Sequence, residues 1–349
     1  MSTKKWIVVG SGQRVREAAL PVAWTLGGTW DLAGVFSRTP KRLDAVTAEG
    51  ASRSVDVEPL EALNAARLSG VDLIYVVVAK DAVPAVLKRL AALDPVRTDL
   101  LIETPVLLPK HLVHLRHLRG FRAAYVAEDC AYLPCLPAIR EAFASGVLGG
   151  PPRAAVLSHS AYAYHGVALL KAFLGPRAVT SARKGPLAGG LAWRHFEFAG
   201  GALGHVLEPR DYGSGRIAIA GPKGVLADHP LAAKSHVPLA AIVERGCCTG
   251  FRAGDHTEHL AAVELALMGT AREGAGLTAW MDGMKRVGLR RMLVDIAAGK
   301  GGYPLLEAVD DTLVDYHLTK IGHYRANPFT SARGALAPLT WRALGLAAH

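Results

Sequence analysis

Apolar positions in the first 130 residues come in short unbroken runs, separated by stretches with helical spacing. The runs are Trp6-Ile7-Val8-Val9, Asp31-Leu32-Ala33-Gly34-Val35-Phe36, Val71-Asp72-Leu73-Ile74-Tyr75-Val76-Val77-Val78, Leu100-Leu101-Ile102 and Ala123-Ala124-Tyr125-Val126-Ala127. Each is too short for a helix, and the third is nearly continuous and β-branched. That is the signature of strands covered on both faces, as in a parallel sheet. Residues 13–26, 58–68, 82–93 and 110–118 carry the 3.6-residue period between them. Strand and helix alternate, which predicts a doubly wound parallel α/β sheet. A further helix is expected over 134–145, stopped by Gly146.

The rhythm changes near Ala154. Strand-like stretches at 154–158, 193–198, 204–208, 216–220 and 239–244 follow one another across glycine turns. They predict a mostly antiparallel open sheet. A helix over 164–174 interrupts them, and helices over 257–268, 278–298 and 304–321 follow. Residues 322–349 are Pro/Ala-rich with no clear period. The expected layout is an N-terminal doubly wound α/β domain (1–128), a second α+β domain (129–322), and a C-terminal tail (323–349).

The junction of the first strand and first helix carries the first chemical signal. Gly10-Ser11-Gly12 lies there, with Gln13-Arg14-Val15 opening the helix. Gly10 can take a tight turn, and Gly12 lets the main chain approach a pyrophosphate with no Cβ in the way. Free N–H groups at the helix start would face that anion. Val15 stands where the fingerprint has its third glycine, so the match is incomplete. An ordinary strand-to-helix turn is the competing reading. At the end of the second strand stand Ser37-Arg38-Thr39-Pro40-Lys41-Arg42. An NAD-binding unit places an acid there for the ribose hydroxyls. A hydroxyl beside a guanidinium instead suits a 2′-phosphate, which favours NADP(H) over NAD(H). Alternatively, Arg38 and Arg42 only cap a solvated loop.

Composition narrows the partners. The 349-residue chain has a formal charge of +10, but its basic residues are scattered and form no dense block, which argues against nucleic acid. No apolar run approaches a membrane span, and the stretch behind Lys4-Lys5 is shorter than a signal h-region. A soluble cytoplasmic protein is expected. Cys130, Cys135, Cys247 and Cys248 form no CxxC pair and read as reduced thiols.

Several stretches resemble the Gfo/Idh/MocA oxidoreductases, named for glucose–fructose oxidoreductase and inositol dehydrogenase. They are the Gly10-Ser11-Gly12 loop, Phe36-Ser37-Arg38-Thr39-Pro40, Leu101-Ile102-Glu103-Thr104-Pro105-Val106, Ala127-Glu128-Asp129-Cys130-Ala131-Tyr132-Leu133-Pro134 and Ala142-Phe143-Ala144-Ser145-Gly146-Val147-Leu148-Gly149. The likeness covers residues 4–175 and is only architectural beyond. It implies a nicotinamide cofactor held by Gly10, Gly12, Gln13, Arg14, Ser37, Arg38, Thr39, Arg42, Ala79, Glu103 and Pro105. It also makes residues 1–128 a Rossmann dinucleotide-binding domain and 129–322 a substrate and oligomerisation domain, and implies a homodimer or homotetramer built through the C-terminal sheet. The chain departs from the family where chemistry is done. Thr104 replaces the lysine of Glu-Lys-Pro. Aligned on Gly166, the family's histidine becomes Ala168 and its last aspartate Lys171. Ala79-Lys80-Asp81 replaces Pro-Asn-x-x-His.

Candidates to replace that set are Tyr164, His165, Lys171, Thr104 and Tyr132. On a helix Tyr164, Ala168 and Lys171 share a face, with His165 beside it. A phenol, an imidazole and an ammonium would then border the substrate, histidine being the natural neutral-pH donor. In the alternative, Tyr164 packs on the sheet while His165 and Lys171 face water. Tyr132 borders the substrate in the resemblance, or only packs. His111, His114 and His117 would spread over a wide arc of an α-helix, and His256 and His259 flank a helix start capped by Asp255 or Thr257. Surface histidines explain both better than a metal does. The expected function is hydride transfer with NADP(H) to or from a C=N or C=O carbon of a small molecule, as in imine-reducing relatives of specialised metabolism. A non-catalytic dinucleotide sensor or regulatory partner is the alternative.

Overall fold

A computed structural model describes residues 3–231, 235–270, 276–327 and 330. The chain forms two compact units. The first runs to Glu128 and takes in Leu289–Thr312; the second comprises Asp129–Gly288 with Leu313–Ala326.

The first unit is built on β1 (Lys4–Val9), β2 (Trp30–Ser37), β3 (Lys41–Val46), β4 (Ser52–Pro59), β5 (Leu73–Val76), β6 (Asp99–Glu103) and β7 (Ala124–Ala127). Six strands are parallel in the order β7-β6-β5-β1-β2-β4, with β3 and the short strand Tyr303–Pro304 antiparallel at the edges. This is the expected doubly wound sheet. From β1 the chain first builds outward to β2 and β4, then crosses to β5. The order therefore reverses between β1 and β5, and such a reversal opens a crevice at the strands' carboxyl ends. The central strands are shut from solvent: Trp6, Val8, Leu73, Ile74, Tyr75, Leu100, Leu101 and Ile102 show no exposure. Burying each large side chain contributes roughly 1.5–3 kcal/mol.

Several elements differ from expectation. The first helix spans residues 13–23 but contains a π turn at Val15–Ala19. The helix expected over 58–68 is mostly absent. β4 occupies its start, and only Ala65–Leu68 is α-helical, capped by Asn64, whose side chain accepts from Arg67 N–H at 3.0 Å. The β3–β4 hairpin escaped the pattern because, in β3, only Leu43 and Ala45 are buried. Residues expected as a helix over 110–118 form a 3-10 helix, Pro109–Gly120.

The second unit holds a ten-stranded sheet. Its strands are β8 (Ala154–Ser158), β9 (Val179–Pro186), β10 (Ala192–Phe198), β11 (Leu203–Glu208), β12 (Arg216–Ala220), β13 (Val225–Ala227), β14 (His236–Glu244), β15 (Cys247–Ala253) and β16 (His256–His259), with His323–Arg325 on the β9 edge. Only β8–β11 and β13–β14 pair parallel, so the sheet is mostly antiparallel as expected. The first residues of the expected tail are thus an edge strand, and most of the rest lies outside the described residues. The helix expected over 257–268 also resolves differently. β16 pairs with β15, and the helix begins at Ala262, after Ala261 N–H donates to Glu264 Oε2 at 3.1 Å. Asp255 and Thr257 therefore cap nothing, and His256 and His259 sit three residues apart on a strand, on opposite faces.

One face of this sheet is closed by the helix Ala163–Leu174. Two glycines allow the approach: a Cβ on Gly204 would lie 2.6 Å from Leu170 Cδ1, and one on Gly166 3.2 Å from Val206 Cγ2. Arg194, Phe196, Phe198, Val206, Ile217 and Ile219 are buried. The other face keeps Val156 and Leu203 exposed beside half-buried Trp193, His195 and His205. Cys130, Cys135 and Cys248 are buried and form no disulfide among the described residues, and burial pushes Cys248 up to about 11. Among the described residues no helix is long and apolar enough to cross a membrane.

Gly283, inside the helix Met281–Ala297, lies against the end of the helix Ala262–Met268. An added Cβ would stand 2.2 Å from the Met268 carbonyl oxygen. Gly→Ala in a free helix gains about 1 kcal/mol, whereas overpacking costs about 1–3 kcal/mol. Gly283→Ala should therefore lower the melting temperature by several degrees in a thermal scan. An unchanged or raised melting temperature would contradict this packing.

Candidate functional site

The carboxyl ends of β1, β2, β5 and β6 surround a cavity of about 940 Å³ in the first unit. Backbone bonds fix its floor: Gly10 N–H donates to the Phe36 carbonyl at 2.7 Å, and Val77 N–H to the Val9 carbonyl at 2.8 Å. Gly10 sits at φ +141°, where a Cβ would lie 1.9 Å from the Val77 carbonyl oxygen. Only glycine allows β1 and the loop after β5 to come this close. Gly12 is different. A Cβ there would meet nothing within 4 Å, so its bare backbone faces open space.

Of the expected cofactor residues, Gly10, Gly12, Gln13, Arg14, Ser37, Arg38, Thr39, Ala79 and Glu103 line this one cavity. Arg42 and Pro105 do not: Arg42 is exposed on β3, opposite Asp56 of β4, and Pro105 is buried behind the cis Thr104–Pro105 bond. Sequence reading missed Lys41 and Arg89, which also line the cavity. Lys41 was hidden with the β3–β4 hairpin.

The charged side chains divide into spent and unspent groups. Arg89 holds the Leu60 and Leu63 carbonyls at 3.0–3.3 Å, bracing the wall. Arg14 Nε pairs with Glu103 Oε2 at 3.1 Å, and the Tyr75 hydroxyl donates to the same carboxylate. Glu103 is thus held at the rim from two sides. Asp81 pairs with Lys110 at 3.2 Å. The Ser37 hydroxyl donates to the Thr39 carbonyl at 2.7 Å, so its proton shapes the turn. Arg38 and Lys41 pair with no carboxylate among the described residues, while Glu61 adds one exposed acid. The unspent cationic groups at the β2 end are therefore Arg38 and Lys41.

The expected catalytic residues divide between the units. Thr104, in the first unit, is half-buried, its hydroxyl 3.4 Å from Glu103 Oε1. Tyr132, Tyr164, His165 and Lys171 belong to the second. Tyr164 is buried and packs its ring 4.3 Å from that of His165, which lies 5.4 Å from Tyr162. Lys171 is buried with Ala168, so that face is packed and Lys171 does not face water. Tyr132 closes a short turn, Asp129–Tyr132, whose backbone the helix at Gly288 approaches closely. A phenol–ammonium pair missed in the sequence also lies in this unit: Lys285 Nζ stands 5.7 Å from the centre of the Tyr212 ring. Burial lowers Lys285, but its interactions with Cys130, Asp129 and Tyr212 together hold it well above the usual lysine range, and burial raises Tyr212. Neither residue belongs to a local motif, which is why the sequence did not reveal them.

His111, His114 and His117 require a correction. On a 3-10 helix residues three apart eclipse, so the three rings line up in one column, His111 edge-on to His114 at 6.2 Å and His114 stacked on His117 at 5.6 Å. Each keeps one ring nitrogen shut from solvent, so they are not plain surface histidines. Burial lowers His117 first, with Arg116, His114 and Lys88 adding to it.

The two glycines make contrasting variants. Gly10→Ala should lower the melting temperature strongly or prevent folding. Gly12→Ala should leave it nearly unchanged. Equal losses in a thermal scan would contradict the cavity's geometry.

No protein-family model matches the sequence, and no curated protein matches it. The fold does match solved structures. GenD2 from gentamicin A biosynthesis, in complex with NAD, is 17% identical with a TM-score of 0.58, covering 94% of this chain and 97% of its own. The myo-inositol dehydrogenase from Lactobacillus casei, in complex with NAD(H) and myo-inositol, is 14% identical with a TM-score of 0.59, covering 93% and 97%. An oxidoreductase from Thermotoga maritima is 14% identical with a TM-score of 0.57, covering 93% and 98%. From the reversal at β1 to the edge of the ten-stranded sheet, the chain has the fold of the Gfo/Idh/MocA oxidoreductases.

Proposed function

We propose that the chain is a nicotinamide-dependent oxidoreductase that prefers NADP(H). The observation that carries this reading is the cavity at the β1–β5 reversal, where a glycine forced by contact with Val77 stands beside a glycine facing open space. A Cβ at Gly12 would intrude where a pyrophosphate approaches the main chain. GenD2 and the myo-inositol dehydrogenase, which share the fold, are bound to NAD and NAD(H), respectively. The residues present fit such a cofactor. Gly10, Ser11, Gly12 and Gln13 would hold the pyrophosphate, and Val77 to Ala79 would border the dinucleotide beneath the β5 loop. When bound, the nicotinamide supplies or accepts the hydride.

The cofactor preference rests on charge. β2 ends in Ser37, not a carboxylate, and the unspent groups beside it are Arg38 and Lys41. A 2′-phosphate would find two cations there, against one exposed acid outside any ion pair, Glu61. Glu103, held by Arg14 and Tyr75, shapes the opposite rim. Thr104 donates a hydrogen bond but no neutral-pH proton, so the chain's own proton donor comes from other groups. His165, against the tilted rings of Tyr162 and Tyr164, and the Tyr212–Lys285 pair are those this chain offers. A C=N substrate needs less help at oxygen and fits the lost lysine, which favours an imine-type reaction. The half-open face of the ten-stranded sheet would carry a second copy of the chain in a homodimer or homotetramer.

A non-catalytic dinucleotide sensor is the second reading, favoured by the burial of Ala168 and Lys171 where the family carries catalytic groups. Turnover separates the two.

Fluorescence titration should show NADPH binding more tightly than NADH. Arg38→Ala should weaken NADPH by about tenfold or more, the loss of one charge-assisted contact, and leave NADH within about threefold. Tighter NADH binding, or equal losses for both cofactors, would overturn the preference. NADPH binding without oxidation by any imine or ketone tested would favour the sensor.

A further inference from the structure

A second cavity, of about 590 Å³, opens within the second unit where β9, β10 and β11 meet the start of the helix Ala163–Leu174. Lys184, Arg194, Glu208 and Arg210 line it together with Tyr162. Its charges do not cancel. Glu208 Oε1 lies 2.9 Å from Arg194 Nε and accepts from Ala163 N–H at 3.0 Å, while Oε2 stands 3.8 Å from Lys184 Nζ. Arg194 also pairs with Asp315 at 2.6 Å. Two carboxylates therefore serve Lys184 and Arg194, and Arg210 is left over.

Arg210 makes no ion pair among the described residues. Its guanidinium carbon lies 4.5 Å from the centre of the Tyr162 ring and 4.9 Å from that of Tyr212. The Tyr212 side chain also takes a hydrogen bond from the guanidinium and the Asp282 carboxylate lies nearby, while the remaining edge donors of this exposed side chain stay available. A guanidinium edge of fixed orientation is suited to a planar oxyanion taken through two parallel bonds. The surrounding backbone is held in costly conformations. Ala163, which lines the cavity, has φ +50°, and His159 has φ +53° with its Nδ1 2.6 Å from the Pro209 carbonyl. Non-glycine residues at positive φ cost of order 1–3 kcal/mol and gather at ligand clamps.

We infer that this cavity binds the carboxylate of a small molecule through Arg210. With Asp282 nearby, one cation outside an ion pair suits a monoanion better than a doubly charged phosphate. For the molecule to be the substrate, the inference rests on the oxidoreductase reading, and it then names the substrate class: a carbonyl or imine compound bearing a carboxylate. Binding itself does not depend on that reading.

Calorimetric titration of the full chain at low salt with benzoate, benzamide and inorganic phosphate tests it, alongside a titration with NADPH. Benzoate should bind at least tenfold more tightly than benzamide, more tightly than phosphate, and more weakly as salt rises. Arg210→Gln should lose benzoate by at least tenfold, Arg210→Lys by less, and neither should change NADPH affinity. Undetectable benzoate binding, equal benzoate and benzamide affinity, a preference for phosphate, or full retention in Arg210→Gln would each overturn the inference. Should Arg210→Gln fail to fold, Arg210→Lys and the wild-type contrast still decide. Benzoate binding without NADPH binding would sink the oxidoreductase reading and leave this site standing.

Discussion

The end of β1 is pinned between its two neighbours, and the candidate cofactor site depends on that clamp. Gly10 N–H reaches β2 at Phe36, Val77 N–H reaches β1 at Val9, and the Val77 carbonyl occupies the space of any Cβ on Gly10. Fully buried Trp6 and Tyr75, stacked 6.3 Å apart across the β1–β5 pair, support the clamp from within the sheet. The hydroxyl of Tyr75 then reaches Glu103 at the rim, so one residue links the packed sheet to the cavity wall. Core packing and site geometry are thus one structure in the first unit. Opening the clamp would release the glycine loop and the β5 loop together.

This part was legible in the sequence because buried parallel strands write themselves as unbroken apolar runs. The glycine loop follows the first run directly, and Ser37 and Arg38 follow the second. What stayed hidden had weaker patterns. β3 turns only Leu43 and Ala45 inward, so Lys41 was not recognised beside the cavity. β16 has no burial alternation strong enough to compete with the helix beyond it, and the expected caps at Asp255 and Thr257 gave way to the Ala261–Glu264 contact. The histidine column was legible as a spacing but not as a geometry: three-residue steps scatter around an α-helix and align on a 3-10 helix.

The second unit shows the opposite relation between sequence and site. Its sheet is mostly antiparallel as expected, yet its cluster of aromatic and cationic side chains comes from residues far apart in the chain. Tyr162, Arg210, Tyr212 and Lys285 are brought together by the sheet edge and a late helix. No local motif announces them. The resemblance identified what the chain lacks, namely the lysine replaced by Thr104 and the histidine replaced by Ala168. Ala168 and Lys171 are both buried.

The central claim is that the cavity at the β1–β5 reversal holds a nicotinamide dinucleotide. A crystal structure of the chain grown with NADPH tests it most directly. The account predicts the pyrophosphate against the backbone of Gly10 to Gln13, with the 2′-phosphate beside Arg38 and Lys41. A dinucleotide bound elsewhere, or a phosphate turned away from Arg38 and Lys41, would contradict it.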